Sequence, residues 1–324
     1  MSSVKRSQRH HYLPQFYLKG FTNAQGLLHV FDRLNEEFRV EPPINTALVK
    51  NWYTVKSKGK KTDRIESLLA IDIEGKAAPI IERITKRDIK LKDDEREILA
   101  VFVALMRTPI PAFDREANGV IDTFSRWYAK FSLPTVSAVE DDLRRFEKET
   151  GESMGDVAAS EVFSMVQEDT YEIQVGRREK IRLMLEVGLG LLPKLLGLDW
   201  NFLFAPPGAV FITTDNPFTV VPPPGHDLDR QDYGVPTPEA ITVLPLSTDA
   251  CLSFCRGRGA VSGGEVDACF LNDLNYFVAA NCDRFVLAGD EALLRRVVRD
   301  AGLDTRAKPS TVNSGAGGPE HPRV

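Results

Sequence analysis

Trp200-Asn201-Phe202-Leu203-Phe204 and Ala250-Cys251-Leu252-Ser253-Phe254 decide the fold class. Both read as strands, as do Val210 to Thr214 and Ile241 to Leu246, so the last third of the chain has a period near two. The stretch before it, about residues 63–197, has helical spacing instead. Ile65, Leu68, Leu69, Ile71 and Ile73 begin a helix that continues to about Ile84. Asp93 is the expected N-cap of the next helix, whose apolar face is Ile98, Phe102, Leu105 and Met106. Arg107-Thr108-Pro109 ends it, because the residue before proline avoids the α region. Further helices fit about 114–130, 136–150, 155–169 and 178–197. Upstream, Leu27 to Arg33, a turn at Asn35 and Glu37 to Val40 form a hairpin, and Trp52 to Val55 is another short strand. Downstream come a helix from Val266 to Ala280, a strand from Phe285 to Leu287 and a last helix over about Glu291 to Arg299. The order predicts an α+β fold: a single domain over 1–303, with an N-terminal hairpin and a C-terminal mixed sheet flanking the helical middle. Both β-rich ends would meet in one sheet. The loop from Pro222 to about Thr237 and the tail 304–324 are expected to lack structure.

With 324 residues, 43% hydrophobic and 27% charged, the composition is that of a globular chain, which excludes collagen-like and wholly disordered classes. The most apolar window, Leu183 to Leu198, is interrupted by Glu186, Pro193 and Lys194, so no membrane span is expected. No basic leader precedes an apolar run, and a cytoplasmic location is expected. Cys251, Cys255, Cys269 and Cys282 form no Cys-x-x-Cys pair and are expected to be reduced, packed thiols. Cys251 and Cys255 would share one strand face. Residues 1–64 carry 12 Lys+Arg against 5 Asp+Glu. That basic segment could attract an anionic substrate or nucleic acid, or it could be a solvated face in which Lys56, Lys58, Lys60 and Lys61 form an ordinary loop.

The most distinctive stretch is His10-His11-Tyr12-Leu13-Pro14-Gln15-Phe16-Tyr17-Leu18-Lys19-Gly20-Phe21. Pro14 suits the first turn of a short helix, and Leu13, Tyr17, Leu18 and Phe21 fall on one stripe. On a strand the two histidine rings point to opposite faces, and on a helix they diverge by about 100°. One could therefore reach a site while the other packs. Thr213-Thr214-Asp215-Asn216-Pro217 ends a strand, where a carboxylate could orient a histidine, hold a metal or act as a base. Asp and Asn are equally common turn formers. Arg107, at a helix C-terminus, could clamp a phosphate or bond the last carbonyls. Glu66 and Glu74 share a helix side only loosely, whereas Asn272 and Asn275 share a face.

These stretches together resemble a bacterial family known as domain of unknown function 4238. Its His-His-x-x-Pro-x-x-x-Leu-x-x-Phe opening is matched at His10, His11, Pro14, Leu18 and Phe21. Asn51-Trp52-Tyr53-Thr54, the helix with Glu66 and Glu74, Ala104 to Pro109, Phe211 to Phe218 and an Asn-bearing helix leading to Arg284-Phe285-Val286 follow in order. The resemblance covers about residues 9 to 290 and supplies positions rather than a reaction. It makes His10, His11, Asp215 and Asn216 the candidate catalytic residues, with Arg107, Tyr53 and Asn275 as candidate ligand-binding residues.

No P-loop, Gly-x-Ser-x-Gly elbow or His-Glu-x-x-His pair is present, and Gly257-x-Gly259 lacks the third glycine of a dinucleotide fingerprint. A divalent metal cofactor is conceivable, but no ligand-spacing motif supports one. The leading expectation is a polar His/Arg/Asp pocket that hydrolyses a phosphate ester or nucleic acid. A histidine would act as acid or base, and Arg107 would stabilise developing charge. The rival is a non-catalytic ligand-binding or sensing module, with the motifs fastening the N-terminal segment to the late sheet.

Overall fold

The computed structural model describes residues 9–50, 55–57, 60–62, 74–108, 110–153, 155, 157–223 and 240–304. In chain order the elements are β1 (Arg9–His11), α1 (Gln15–Lys19), β2 (Leu28–Asp32), β3 (Glu37–Glu41), β4 (Leu48–Lys50), β5 (Val55–Ser57) and β6 (Lys60–Thr62). Helices α2 (Gly75–Thr85), α3 (Asp93–Arg107), α4 (Pro111–Ser132), α5 (Val136–Thr150), α6 (Ala159–Glu168) and α7 (Arg177–Gly197) follow. The chain then forms β7 (Asp199–Phe204), β8 (Thr213–Thr214), β9 (Thr219–Val221), β10 (Ile241–Pro245), β11 (Ala250–Cys255), β12 (Val261–Glu265), α8 (Ala268–Ala280), β13 (Phe285–Ala288) and α9 (Glu291–Asp300). This is the α+β class that the order of periods predicts.

The chain clusters into two compact units, Met1–Ile110 with Gly188–Val324, and Pro111–Val187. The first holds the sheets. Its four-stranded sheet has the order β3-β2-β13-β8, so the N-terminal hairpin and the late strands do share one sheet. Val30 faces Leu287 and Asp32 faces Phe285 across the antiparallel β2–β13 pair, and Thr214 faces Val286 across β13–β8. The second sheet, β12-β7-β11-β10-β9, is mixed, because β12 runs parallel to β7 and the other pairs are antiparallel. The core beside α8 and α9 contains Phe31, Phe211, Ile212, Val243, Leu274, Val278, Val286 and Val298. Apolar burial of this kind is the main favourable term in folding.

Several local expectations change. The strand expected over Val210–Thr214 is reduced to Thr213–Thr214. Ile212 N–H donates 3.0 Å to Asn275 Oδ1 and Phe211 N–H donates 2.9 Å to Thr248 O, so a side chain and a turn replace a neighbouring strand. The N-cap of α3 is Lys92, not Asp93. Lys92 N–H donates to Glu95 Oε2 at 2.9 Å, and Asp93, Asp94 and Glu95 place three acids where the helix dipole favours them. The lysine-rich stretch is not a plain loop, since β5 and β6 pair as a hairpin. Strands β1, β4, β9 and β12 lie where the periodicity predicts none. Gly263 and Gly264 hide β12 from propensity, and the whole strand is exposed. The Gly257-x-Gly259 turn is not a phosphate loop: Arg258 N–H and Ala260 N–H donate to Asp199 Oδ1 at 2.8 and 2.7 Å. A Cβ at Gly257 would overlap that carboxylate, and Gly259 has φ +89°. Residues 52–54 of the expected strand, the start of the first long helix, the loop at 224–239 and the tail 305–324 lie outside the described residues.

The second unit is helical. Thr135 caps α5, accepting from Ala138 N–H, and Gly151 at φ 72° ends it. Arg126 donates to Asp122 at 2.8 Å and to the Asp169 and Tyr171 carbonyls at 3.0 and 2.9 Å, joining α4 to the end of α6. Lys180 pairs with Asp114 at 3.2 Å. Helix α7 carries the chain from this unit into the first.

Candidate functional site

The opening motif begins on a strand. β1 pairs with β4, placing His10 opposite Val49 and His11 opposite Leu48. Strand alternation therefore sends the rings to opposite sides: His10 is fully buried and His11 half-buried. His11 Nε2 lies 3.2 Å from Ile44 O, and a carbonyl can only accept. Nε2 therefore donates to that carbonyl, and Nδ1 lies 3.5 Å from Gln15 Nε2.

Helix α1 carries the motif inward. Pro14 stands just before it, and Tyr17, Leu18 and Phe21 are buried. Tyr17 packs its ring on Phe21 and on Phe102 of α3, with centroids 5.2 and 6.3 Å away. Its hydroxyl lies 2.6 Å from Thr213 Oγ1. Gly20 O accepts from Thr248 N–H at 2.9 Å. The opening motif, α3 and the Thr-Asp-Asn-Pro strand end therefore do meet, through Tyr17, Phe102 and Thr213.

Asp215 is buried, and both its oxygens are engaged by backbone. Asp283 N–H donates to Oδ1 at 3.0 Å, and Arg284 N–H donates to Oδ1 and Oδ2 at 3.1 and 2.9 Å. Burial, and then the neighbouring Asp283 charge, push its carboxyl up to about 7 against the pull of those donors. Asn216 Nδ2 donates to Asn281 O at 3.0 Å, while Asn281 Nδ2 returns a bond to Asn216 O at 2.9 Å. Asn275 accepts from Ile212 N–H and donates to Val210 O at 2.9 Å, so both ends of its amide hold one backbone segment. Asp215, Asn216 and Asn275 thus brace the strand-to-turn region, which is the work that turn chemistry assigns to Asp and Asn.

Arg107 ends α3 and is half-buried. Glu74 immediately precedes α2. Tyr53 and Glu66 lie outside the described residues.

Asp32 and Arg284 form an ion pair that the sequence reading does not single out. Asp32 is buried at the end of β2. It accepts a bidentate pair from Arg284, Nε to Oδ1 at 2.9 Å and Nη2 to Oδ2 at 2.7 Å, and a bond from Leu34 N–H at 3.1 Å. Burial alone would raise its carboxyl, but the Arg284 hydrogen bonds and charge, with Asn35 and Leu34 N–H, hold it below the usual range. The Asp32 hydrogen bond, opposed by burial and helped by the Asp32 charge, moves the Arg284 guanidinium above its ordinary range. The signal available was an acid closing the strand Leu28-His29-Val30-Phe31 opposite an Arg-Phe-Val strand. Among the described residues no group of three or more His, Cys, Asp or Glu is arranged to hold a metal ion. All four cysteines are free, and burial pushes the Cys282 thiol up to about 12.

Away from these motifs lies an open cleft of about 910 Å³. The Pro206-Pro207-Gly208 turn, the start of α8 and the first turns of α9 line it, and its charged and amide side chains are Arg87, Arg296, Asn272, Asp249 and Asp290. Arg87 is ion-paired with Glu265 at 2.8 Å. Arg296 instead donates to a neutral atom, Asn272 Oδ1, at 3.4 Å.

Residues 9–292 match the family described as protein of unknown function (DUF4238). The chain belongs to this family. The DUF4238 match runs from β1 into the first turn of α9, so it takes in His10, His11, Arg107, Asp215, Asn216 and Asn275 together with Asp32 and Arg284. No curated protein and no solved structure matches the chain. Among the described residues no helix is long and apolar enough to cross a membrane.

Proposed function

We propose that this protein is a ligand-binding module that takes a small anionic molecule in the cleft beside the Pro206–Gly208 turn. The cleft carries this reading. Its volume is in the range of small-molecule sites, and Arg296 presents there a cation whose hydrogen-bond partner, Asn272, is uncharged. Arginine matches carboxylate and phosphate oxygens in bidentate fashion. Among the described residues its lining has no histidine, thiol or hydroxyl side chain, and its two carboxylates are engaged, Asp290 Oδ1 accepting from Leu293 N–H at 2.7 Å and Asp249 Oδ2 from the Thr248 hydroxyl at 3.2 Å, which favours binding over turnover. The motif residues support the same reading, because Asp215, Asn216 and Asn275 are engaged with backbone groups of this chain. A cytoplasmic location accords with the four free cysteines.

The test titrates inorganic phosphate, citrate and a short single-stranded oligonucleotide against the full chain and an Arg296→Ala variant, read by calorimetry. Saturable binding of a small anion that the variant loses supports the reading. Tight oligonucleotide binding indifferent to Arg296 would instead favour nucleic acid on the basic N-terminal segment. Hydrolysis of a phosphodiester, with or without divalent metal and abolished by His11→Ala, would replace it with the hydrolase reading.

A further inference from the structure

Helix α4 is 22 residues long, yet Ala112 is its one buried residue. Large apolar side chains line one side of it in the open. Val120 is 70% exposed, Phe124 61%, Trp127 59% and Phe131 71%, with Tyr128 alongside at 56%. Isolated exposed apolar residues are ordinary, but a contiguous row of this size marks an interaction surface. The rings already stack along the helix, Phe124 on Tyr128 at 6.3 Å and Trp127 on Phe131 at 5.6 Å. The rings thus form a continuous apolar ridge along the helix.

The spacing fits a second copy of the same helix. Val120, Phe124, Trp127 and Phe131 are separated by four, three and four residues, the alternation of a coiled-coil seam, in which each helix offers knobs and holes to another of the same kind. From ordinary aromatic side-chain areas and the exposures above, the row presents about 600 Å² of apolar surface. Two such rows paired would bury about 1,200 Å², the lower edge of a stable specific interface. A membrane surface fits less well. Interfacial helices carry a Lys/Arg-rich polar face. Helix α4 balances Arg115, Arg126 and Lys130 against Asp114, Glu116 and Asp122, and Arg126 and Lys130 are paired with Asp122 and Asp169. Residues 111–187 as a whole carry 10 Lys+Arg against 16 Asp+Glu, which also opposes a nucleic-acid partner.

We infer that α4 is the interface of a homodimer, with Val120, Phe124, Trp127 and Phe131 of one copy packed against the same residues of a second copy. The full chain should sediment at twice its 36.1 kDa mass at micromolar concentration and above. Phe124→Glu with Trp127→Glu should sediment as a monomer with an unchanged far-ultraviolet dichroism spectrum, since both side chains are exposed in the isolated chain. Phe124→Leu with Trp127→Leu should stay dimeric. Acrylamide quenching of wild-type tryptophan fluorescence should rise on dilution as Trp127 is uncovered, a readout independent of whether the glutamate variant folds. A wild-type chain monomeric at every concentration would overturn the inference. So would a dimer that survives the glutamate pair, or a monomer that co-floats with phosphatidylcholine vesicles.

Discussion

The Tyr17 hydroxyl and Thr213 Oγ1 lie 2.6 Å apart across a sequence separation of 196 residues, and both side chains are buried. This one bond ties the opening His-His-x-x-Pro helix to the strand that leads into Asp215. Burial drives the Tyr17 phenol far above its ordinary range, so it stays a neutral hydroxyl at any physiological pH. Tyr17→Phe leaves Thr213 Oγ1 without this partner and should cost about 1–3 kcal/mol. Adding Thr213→Val should recover much of that loss. Urea unfolding of the single and double variants checks it; a double variant as unstable as the sum of its parts would mean that the two hydroxyls do not form a pair.

Asn275 should be one of the most sensitive polar positions. Asn275→Leu removes the partners of Ile212 N–H and Val210 O together, inside the core. The expected loss is about 2–4 kcal/mol, one buried and one part-buried backbone group each left unmade. Asn275→Asp should also destabilise, because it keeps the acceptor and loses the donor. Asn272→Leu, on the exposed side of the same helix, is the matched control and should stay within about 0.5 kcal/mol of wild type.

Asp215 sets a pH dependence of defined sign. Its folded pKa is raised from 3.8 to about 7, so between those values the folded protein holds a proton that the unfolded chain has released. The stabilisation is complete below pH 3.8, declines as pH rises and is gone above about 7. Its size is on the order of 4 kcal/mol at most. Asp32 and Glu95 act oppositely: their lowered values give stability that is present above the ordinary carboxylate range and lost in acid. Chemical denaturation midpoints measured from about pH 4 to 8 should therefore show Asp215→Asn gaining on wild type up to about pH 7 and levelling beyond. Parallel profiles for the two proteins would remove Asp215 as the titrating group.

Gly257→Ala should destabilise the β11–β12 turn, because the new methyl overlaps the Asp199 carboxylate that accepts from Arg258 and Ala260. A cost of about 1–3 kcal/mol is expected from such overpacking. Asp199→Ala combined with Gly257→Ala should cost little more than Asp199→Ala alone. Thermal unfolding of the three variants gives the comparison.

Periodicity was sufficient for the α+β order, because long apolar stripes such as Ile98 to Met106 and strands such as Trp200 to Phe204 repeat the pattern their burial requires. It also foresaw the shared sheet, since a lone hairpin at residues 28–41 needs a further strand to be stable. What it missed rests on particular side chains. Strand β12 has two glycines and no buried face. The segment at Val210–Ile212 stops short of a strand because Asn275 occupies the neighbouring position, and no local pattern announces an amide 63 residues away. The same holds for the site. Asp215 and Asn216 could be recognised as turn formers or as site residues, and their buried bonds to residues 281–284 were not readable from spacing. Arg284 could be quoted as part of a motif, but its pairing with Asp32 depends on the register of β2 against β13.

The sheet that holds Asp32 beside Arg284 has a cost during synthesis. β2 is an inner strand whose second neighbour, β13, lies about 250 residues downstream. At ordinary ribosomal speeds that interval is about 12–50 s. Throughout it the nascent hairpin presents an unpaired strand edge, the kind of template on which other chains assemble. The newborn polypeptide therefore needs shelter from its neighbours on the ribosome until β13 emerges.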